Sequence, residues 1–185
     1  GSDLAGMRTV AVEEQDHWRL TGTKTYITNG INSDLVIVAA KIDPENNPHA
    51  MTLFIVERGM EGFERGRNLV KMGLKGQDTA ELFFNDVRVP KANVLGEPGK
   101  GFIYLMEGLA EERLIGAVSY LSAAQLSWDL TADYVRSRKA FGKALSEFQN
   151  TQFKLSELRM QLDIAQCYID QCVAAFNRDK LTATD

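Results

Sequence analysis

GEPGKG, residues 96–101, divides the chain between two periodicities, and its reading decides the architecture. Before it, apolar residues either alternate or fall in short continuous runs. WRLTGTKTYITNG (18–30) alternates and is rich in Thr and Tyr; DLVIVAAKID (34–43) and MTLFIVERG (51–59) are apolar runs fit for buried strands; TAELFFNDVRVP (79–90) is a fourth strand that stops at Pro90. Turns are expected at Asn29-Gly30, Asp43-Pro44 and Glu97-Pro98-Gly99. Strands at this spacing predict a compact antiparallel barrel or sandwich. From Phe102 onward there is no proline. Phe102, Leu105, Leu109, Ser119, Ala123, Leu126 and Leu130 follow helical spacing, in a run reaching about Arg138. KAFGKALSEFQ (139–149) breaks it at Gly142. Ser146, with Gln149 three residues on, is expected to cap a second helix. That helix carries Phe153, Leu155, Leu158, Leu162, Ala165, Ile169 and Val173 and ends near Arg178. The expected class is therefore α+β: a β-domain over 1–98, then over 99–185 two long antiparallel helices of an incomplete bundle. Two such helices cannot bury their apolar stripes on each other alone. Further helices or another subunit are expected to complete the bundle, and the chain reads as part of a longer protein.

Composition narrows the function. The 185 residues carry a net charge of −4, with 44% hydrophobic and 25% charged residues, ordinary for a soluble globular protein. The acidic balance argues against nucleic-acid binding, and no apolar run approaches the roughly 20 residues of a membrane span. Cys167 and Cys172 lie five apart and so on different faces of a helix. They read as two buried or half-buried thiols in a reducing compartment, not as a disulfide. His17 and His49 have no cluster of metal-ligating residues around them, so no metal site is expected.

The other informative stretch is GLAEERLIG (108–116), where Glu111, Glu112 and Arg113 interrupt an apolar helical run. At ~100° per residue, Glu112 shares a face with Leu105, Leu109, Gly116, Ser119 and Ala123, whereas Glu111 lies near Tyr104, Glu107 and Gly108. Periodicity favours Glu112 as the buried carboxylate. A carboxylate in a dry pocket has a raised pKa and can serve as a general base. An exposed or ion-paired helix Glu is the competing reading.

GSDLAG (1–6), YITNG (26–30), KMGLKGQDTAELFFNDVRVP (71–90), NVLGEPGKGF (93–102) and RKAFGKALSEFQ (138–149) together resemble the acyl-CoA dehydrogenase family, most of all its long-chain members, with the isovaleryl members next. The likeness runs in order over nearly the whole chain. It implies an N-terminal helical domain, a middle β-domain and a C-terminal helical bundle, of which this chain would carry the middle domain and the first two bundle helices. It implies FAD as cofactor and conversion of a fatty acyl-CoA to the trans-2-enoyl-CoA, with electrons passing to an electron-transferring flavoprotein. It implies a homo-oligomer, dimer or tetramer, with shared FAD sites, in a bacterial cytoplasm or a mitochondrial matrix.

Residue by residue, the resemblance makes Glu112 the base that removes the α-proton, as in the long-chain and isovaleryl members. It places Ala110, Glu111 and Arg113 beside the acyl-CoA. Arg138 and Gln149 match FAD-contacting residues; an arginine offers the pyrophosphate a fixed cationic fork. Tyr26, Ile27 and Thr28 match the flavin-facing Trp-Ile-Thr/Ser, with Tyr in place of Trp. An aromatic ring can cover a flavin and a hydroxyl can bond its polar edge. Ser2 matches a serine at the acyl-CoA and flavin site, provided Gly1-Ser2 is native sequence. Pro48 and His49 align with a loop contacting the CoA portion. Glu112 and Arg138 are 26 residues apart, roughly 39 Å on one unbroken helix. If both serve FAD, they serve two different copies. The competing readings are a medium-, short- or branched-chain relative with its base in a later segment, another flavin chemistry such as an oxidase or monooxygenase, and a chain that by itself acts only in folding or oligomerisation.

Overall fold

The computed structural model describes residues 3–4, 6–47 and 49–182. The chain forms two compact units, Gly1–Leu105 and Met106–Asp185.

The first unit is a mixed sheet of seven strands: β1 (Val10–Glu13), β2 (His17–Thr28), β3 (Leu35–Lys41), β4 (Met51–Glu57), β5 (Phe63–Asn68), β6 (Thr79–Pro90) and β7 (Val94–Leu95). Their order is β5-β6-β2-β1-β3-β4-β7. The α+β reading holds, with two corrections. β1 pairs with β3 in parallel, through Val10 opposite Lys41, so the sheet is not purely antiparallel. It also does not close into a barrel, since β5 and β7 stand at its two ends. β1 and β5 escaped the sequence reading because VAVE is short and FERGRN is mostly charged. β5 needs little apolar character because it pairs only with β6 and seats Phe63 flat on Phe84, 5.1 Å between ring centres.

One face of the sheet makes the core. Pairing sets Val36 against Val56, Val38 against Phe54 and Ala40 against Thr52, and on the other side Trp18 against Val89 and Leu20 against Val87. Directly paired residues share a face, and most of these side chains are fully buried. Trp18 meets Phe54 edge-on at 5.5 Å, joining the two halves of the core.

The long β2–β6 ladder contains two irregularities that cancel. Between Leu20↔Val87 and Gly22↔Phe84, β6 carries one extra residue; between Lys24↔Leu82 and Ile27↔Ala80, β2 does. Each is marked by a non-glycine residue in the left-handed region, Asp86 (φ 52°) and Tyr26 (φ 60°). Gly22 (φ 146°) sits where a Cβ would lie 2.8 Å from the Thr9 Cα, so only glycine lets β2 pass its neighbour there.

The second unit holds most of α1 (Gly101–Ser137), a hairpin of β8 (Lys139–Ala140) and β9 (Lys143–Ala144), and α2 (Gln149–Phe176). The helices run antiparallel: Ala110 and Arg113 share a cavity with Tyr168 and Cys172, while Ala132 and Val135 share another with Ser156 and Arg159. Trp128 Nε1 donates to the Leu155 carbonyl at 3.0 Å, and Arg159, ion-paired to Asp163, lies over the Trp128 ring at 5.5 Å. Contact is sparse otherwise. Of the apolar side chains on α1 only Leu121, Ala132 and Val135 are buried, and α2 buries none. An apolar cavity of about 720 Å³, walled by Leu121, Trp128, Leu158 and Leu162, opens between the helices. The expectation that two helices leave their stripes uncovered holds for this chain. Serine and threonine tolerate exposure on α1 by bonding backward: Ser119, Ser122, Ser127 and Thr131 each donate to the carbonyl four residues earlier.

Two local expectations are corrected. Ser146 does not cap α2; it lies in a 3₁₀ turn, Leu145–Glu147, where the Glu147 carboxylate accepts from the Ala144 N–H at 2.8 Å. A carboxylate reaches back across that turn more readily than a serine hydroxyl reaches forward, and the helix starts at Gln149. Cys167 is exposed and Cys172 half-buried, because α2 has no covering element on the face of Cys167.

Candidate functional site

In the first unit, the second irregularity of β2 positions the candidate flavin-facing residues. The extra residue at Thr25-Tyr26 turns the backbone so that the Tyr26 ring stands 78% exposed. Ile27, opposite Ala80, packs inward against the core. Thr28 falls on the same outer side as Tyr26, by the alternation of a strand. The structure thus brings Tyr26 and Thr28 together as an open aromatic ring and an open hydroxyl. Ile27 is half-buried, and its carbonyl accepts from Gly30 N at 3.2 Å. Bulges that re-aim one side chain recur next to functional sites, and an aromatic residue held at φ 60° is costly unless its surroundings fix it.

Beside Tyr26 on β2, Lys24 faces the core side, paired with Leu82. It has no carboxylate partner among the described residues. Its Nζ lies 2.7 Å from Met7 Sδ, and burial pulls its pKa from the ordinary 10.5 down to about 8. At the other irregularity the opposite holds. Asp86 accepts from Thr21 Oγ1 (2.8 Å) and Arg19 (3.1 Å), and these bonds keep its carboxyl below the usual range.

Ser2 and Pro48 lie outside the described residues. His49 is exposed on the β3–β4 connection, its backbone N–H bonded to Asn47 Oδ1 at 3.2 Å and its ring edge-on to Phe102 at 6.2 Å.

In the second unit, Ala110, Glu111, Glu112 and Arg113 occupy successive positions on α1, so each points in a different direction. Ala110 and Arg113 line the α1–α2 cavity that includes Tyr168, Ile169 and Cys172. Glu111 lines a smaller one with Val118, Val173 and Phe176. Glu112 faces neither. It is exposed, which corrects the expectation of a buried carboxylate. The helical wheel identified its companions correctly but not the face that α2 covers. Leu126 and Leu130, further along, are uncovered too. Glu112 makes no hydrogen bond or ion pair among the described residues, so it is an unpaired carboxylate on a partly apolar, open face.

Arg138 and Gln149 flank the β8–β9 hairpin. Arg138 follows directly on α1 and its carbonyl accepts from Leu145 N at 2.9 Å; Gln149 is the first residue of α2. Both side chains are exposed. The hairpin turn is Phe141 (φ 50°) and Gly142 (φ 84°), both left-handed as a two-residue type I′ turn requires. Phe141 was not singled out from the sequence. A phenylalanine in a place that favours Asn or Gly, 96% exposed and edge-on to Phe148, is the signal that the RKAFG motif carried. α1 is unbroken from Glu112 to Ser137, so the two candidate groups of this unit lie about 37 Å apart along it.

An exposed ring, a nearby hydroxyl and, elsewhere, an exposed guanidinium with no carboxylate partner among the described residues suit a flavin and its pyrophosphate. No group of three His, Cys, Asp or Glu residues is placed to hold a metal, and no helix is long and apolar enough to cross a membrane, among the described residues.

Residues 1–87 match the acyl-CoA dehydrogenase middle domain and residues 99–185 the acyl-CoA dehydrogenase C-terminal domain. The chain belongs to the acyl-CoA dehydrogenase family. It is 47% identical over 183 residues to the mitochondrial long-chain specific acyl-CoA dehydrogenase of Rattus norvegicus, covering 98% of this chain and 43% of that one. It is 39% identical over 187 residues to the mitochondrial isovaleryl-CoA dehydrogenase of Pongo abelii, covering 100% and 44%. The crystal structure of an acyl-CoA dehydrogenase from Geobacillus kaustophilus superposes with a TM-score of 0.94 at 48% identity, covering 97% of this chain and 48% of that one. The chain thus spans less than half the length of these relatives, which come from both mitochondria and bacteria.

Proposed function

We propose that this chain supplies the middle domain and the first two bundle helices of an FAD-dependent dehydrogenase that converts a long-chain fatty acyl-CoA to the trans-2-enoyl-CoA. The observation that carries the reading is Glu112: a carboxylate without a cation partner, on a face of α1 that α2 leaves open. Covered by further protein and by substrate, that face becomes a dry pocket in which proton abstraction from carbon is favoured. Glu112 takes the α-proton of the thioester; Arg113 and Ala110, at the α1–α2 cavity, border the acyl-CoA. FAD, when bound, accepts the β-hydrogen as hydride. Tyr26 would cover its ring system and Thr28 would bond its polar edge. Arg138 and Gln149 would hold the pyrophosphate end of a neighbouring copy's FAD, because their own copy's Glu112 is too distant to use the same molecule. The assembly is a homo-oligomer, dimer or tetramer, that passes electrons to an electron-transferring flavoprotein, in a mitochondrial matrix or a bacterial cytoplasm.

The test is the visible spectrum of the chain with FAD, recorded anaerobically before and after a long-chain acyl-CoA, paired with Glu112→Gln in the full-length parent. The expected result is flavin that bleaches with substrate in the parent and a loss of at least about 10²-fold in turnover with Glu112→Gln. Near-normal turnover of that variant would move the base to a later segment and favour a shorter- or branched-chain enzyme. Rapid reoxidation by oxygen with product bound would favour an oxidase.

A further inference from the structure

Thr28 is the last residue of β2, and the turn that follows it is tied to the start of β6 at several points. Thr28 pairs with Thr79 and Ile27 with Ala80. Asn29, left-handed at φ 60°, then redirects the chain. Gly30 is buried where a Cβ would lie 3.0 Å from the Ile27 carbonyl oxygen and 3.1 Å from the Ala80 Cβ, so the turn lies directly on β6. Asp78, the residue before β6, supplies the other anchors. Its backbone carbonyl accepts from Asn29 N at 3.2 Å. Its carboxylate accepts from Ile31 N through Oδ2 (2.7 Å) and from Asn32 Nδ2 through Oδ1 (2.8 Å). Asp78 is only 6% exposed and forms no ion pair among the described residues. A buried carboxylate is costly unless donors satisfy it, and here the donors belong to the turn, not to a cation.

Tyr26 and Asn29, both at φ 60°, bracket Ile27 and Thr28. Such conformations persist where the surroundings over-determine them. The Tyr26 side chain makes no hydrogen bond among the described residues, so the hold on this segment comes from the Asn29 side, through Asp78. We propose that Asp78 is a positioning residue for the cofactor: by pinning the 29–32 turn to β6 it fixes the place at which Thr28 presents its hydroxyl to the flavin. This rests on the reading of Thr28 as a flavin contact. A binding group must be held to within about 0.5 Å to be effective, which asks for a supporting layer of locked hydrogen bonds behind it.

The test uses the full-length parent and reads the dissociation constant of FAD, the flavin absorption spectrum and the urea midpoint. With Asp78→Asn, the new amide can accept from only one of Ile31 N and Asn32 Nδ2. FAD binding should weaken about tenfold, with a shifted flavin band. Adding Asn32→Asp lets the amide donate where the carboxylate accepted, so both bonds return, and the double variant should bind FAD within about twofold of the parent. In a Thr28→Val background, Asp78→Asn should no longer change FAD binding. An Asp78→Asn protein with a lowered urea midpoint but unaltered FAD affinity and spectrum would overturn the proposal, leaving Asp78 a role in the fold alone. So would an equal loss with and without the Thr28 hydroxyl, or a double variant as impaired as the single one. If Thr28→Val alone changes neither affinity nor spectrum, the flavin reading of Thr28 itself fails and the proposal falls with it.

Discussion

Lys24 is the residue whose replacement tests the description of the core most directly. It stands in the inward row of β2, after Trp18, Leu20 and Gly22, opposite the buried Leu82, with Met7 rather than a carboxylate at its amine. Burial lowers its pKa from 10.5 to about 8. That gap corresponds to at most about 3.4 kcal/mol at 1.36 kcal/mol per tenfold step. The amine keeps some contact with water, which reduces the figure to about 1–2 kcal/mol. The sign follows from the lowered folded value. Below pH 8 both folded and unfolded chains hold the proton, and the folded state bears the full cost of a charged amine in an apolar place. Between about pH 8 and 10.5 the folded chain releases that proton while the unfolded chain keeps it, so stability rises with pH through this window. Lys24→Met keeps the length of the side chain and removes the charge. It should stabilise the first unit by about 1–2 kcal/mol at pH 7, and the advantage over the parent should shrink toward pH 10.5. Urea unfolding followed by Trp18 emission, in a Trp128→Phe background so that the second unit is silent, measures both. Destabilisation at pH 7, or a difference independent of pH, would refute the placement of Lys24 on the core side.

Gly22→Ala should destabilise the first unit by at least about 2 kcal/mol, seen in the same urea titration, because the new Cβ meets the Thr9 backbone at 2.8 Å at a left-handed φ. On the shared-site reading, mixed oligomers of full-length Glu112→Gln and Arg138→Ala chains should regain activity that neither homo-oligomer has. In a mixed pair one site receives both intact residues. No recovery on mixing would place both residues at one copy's FAD.

Much of this was legible in the sequence. GEPGKG marked the change from strands to helices because the shift from alternation to a 3.6-residue period is a property of local spacing. The four strands read from apolar runs are present. What escaped depends on partners remote in the chain. The parallel pairing of β1 with β3 leaves no trace in VAVE or LVIVAAK. The wheel placed Glu112 with Leu109 and Gly116, yet which face of α1 meets α2 was decided by Trp128, Leu121 and Ala132, whose apolar character differs little from that of Leu126 and Leu130. Glu147 displaced Ser146 at the second helix start through a bond to Ala144 that a capping pattern does not anticipate.

The two irregularities of the β2–β6 ladder separate structural strain from functional strain. Each puts a non-glycine residue in the left-handed region, and each alone would shift the register by one and turn a core row outward. Together they restore it, so that Ile27 returns to the core opposite Ala80. The first is offset on the spot, since Asp86 gains bonds from Thr21 and Arg19 in the conformation it holds. Tyr26 gains nothing comparable; it makes no side-chain hydrogen bond among the described residues, and its ring is open. The register could have been restored by a glycine, at lower cost. An aromatic residue at that position is explained by what its ring is turned to meet, and on the reading proposed above that is the flavin.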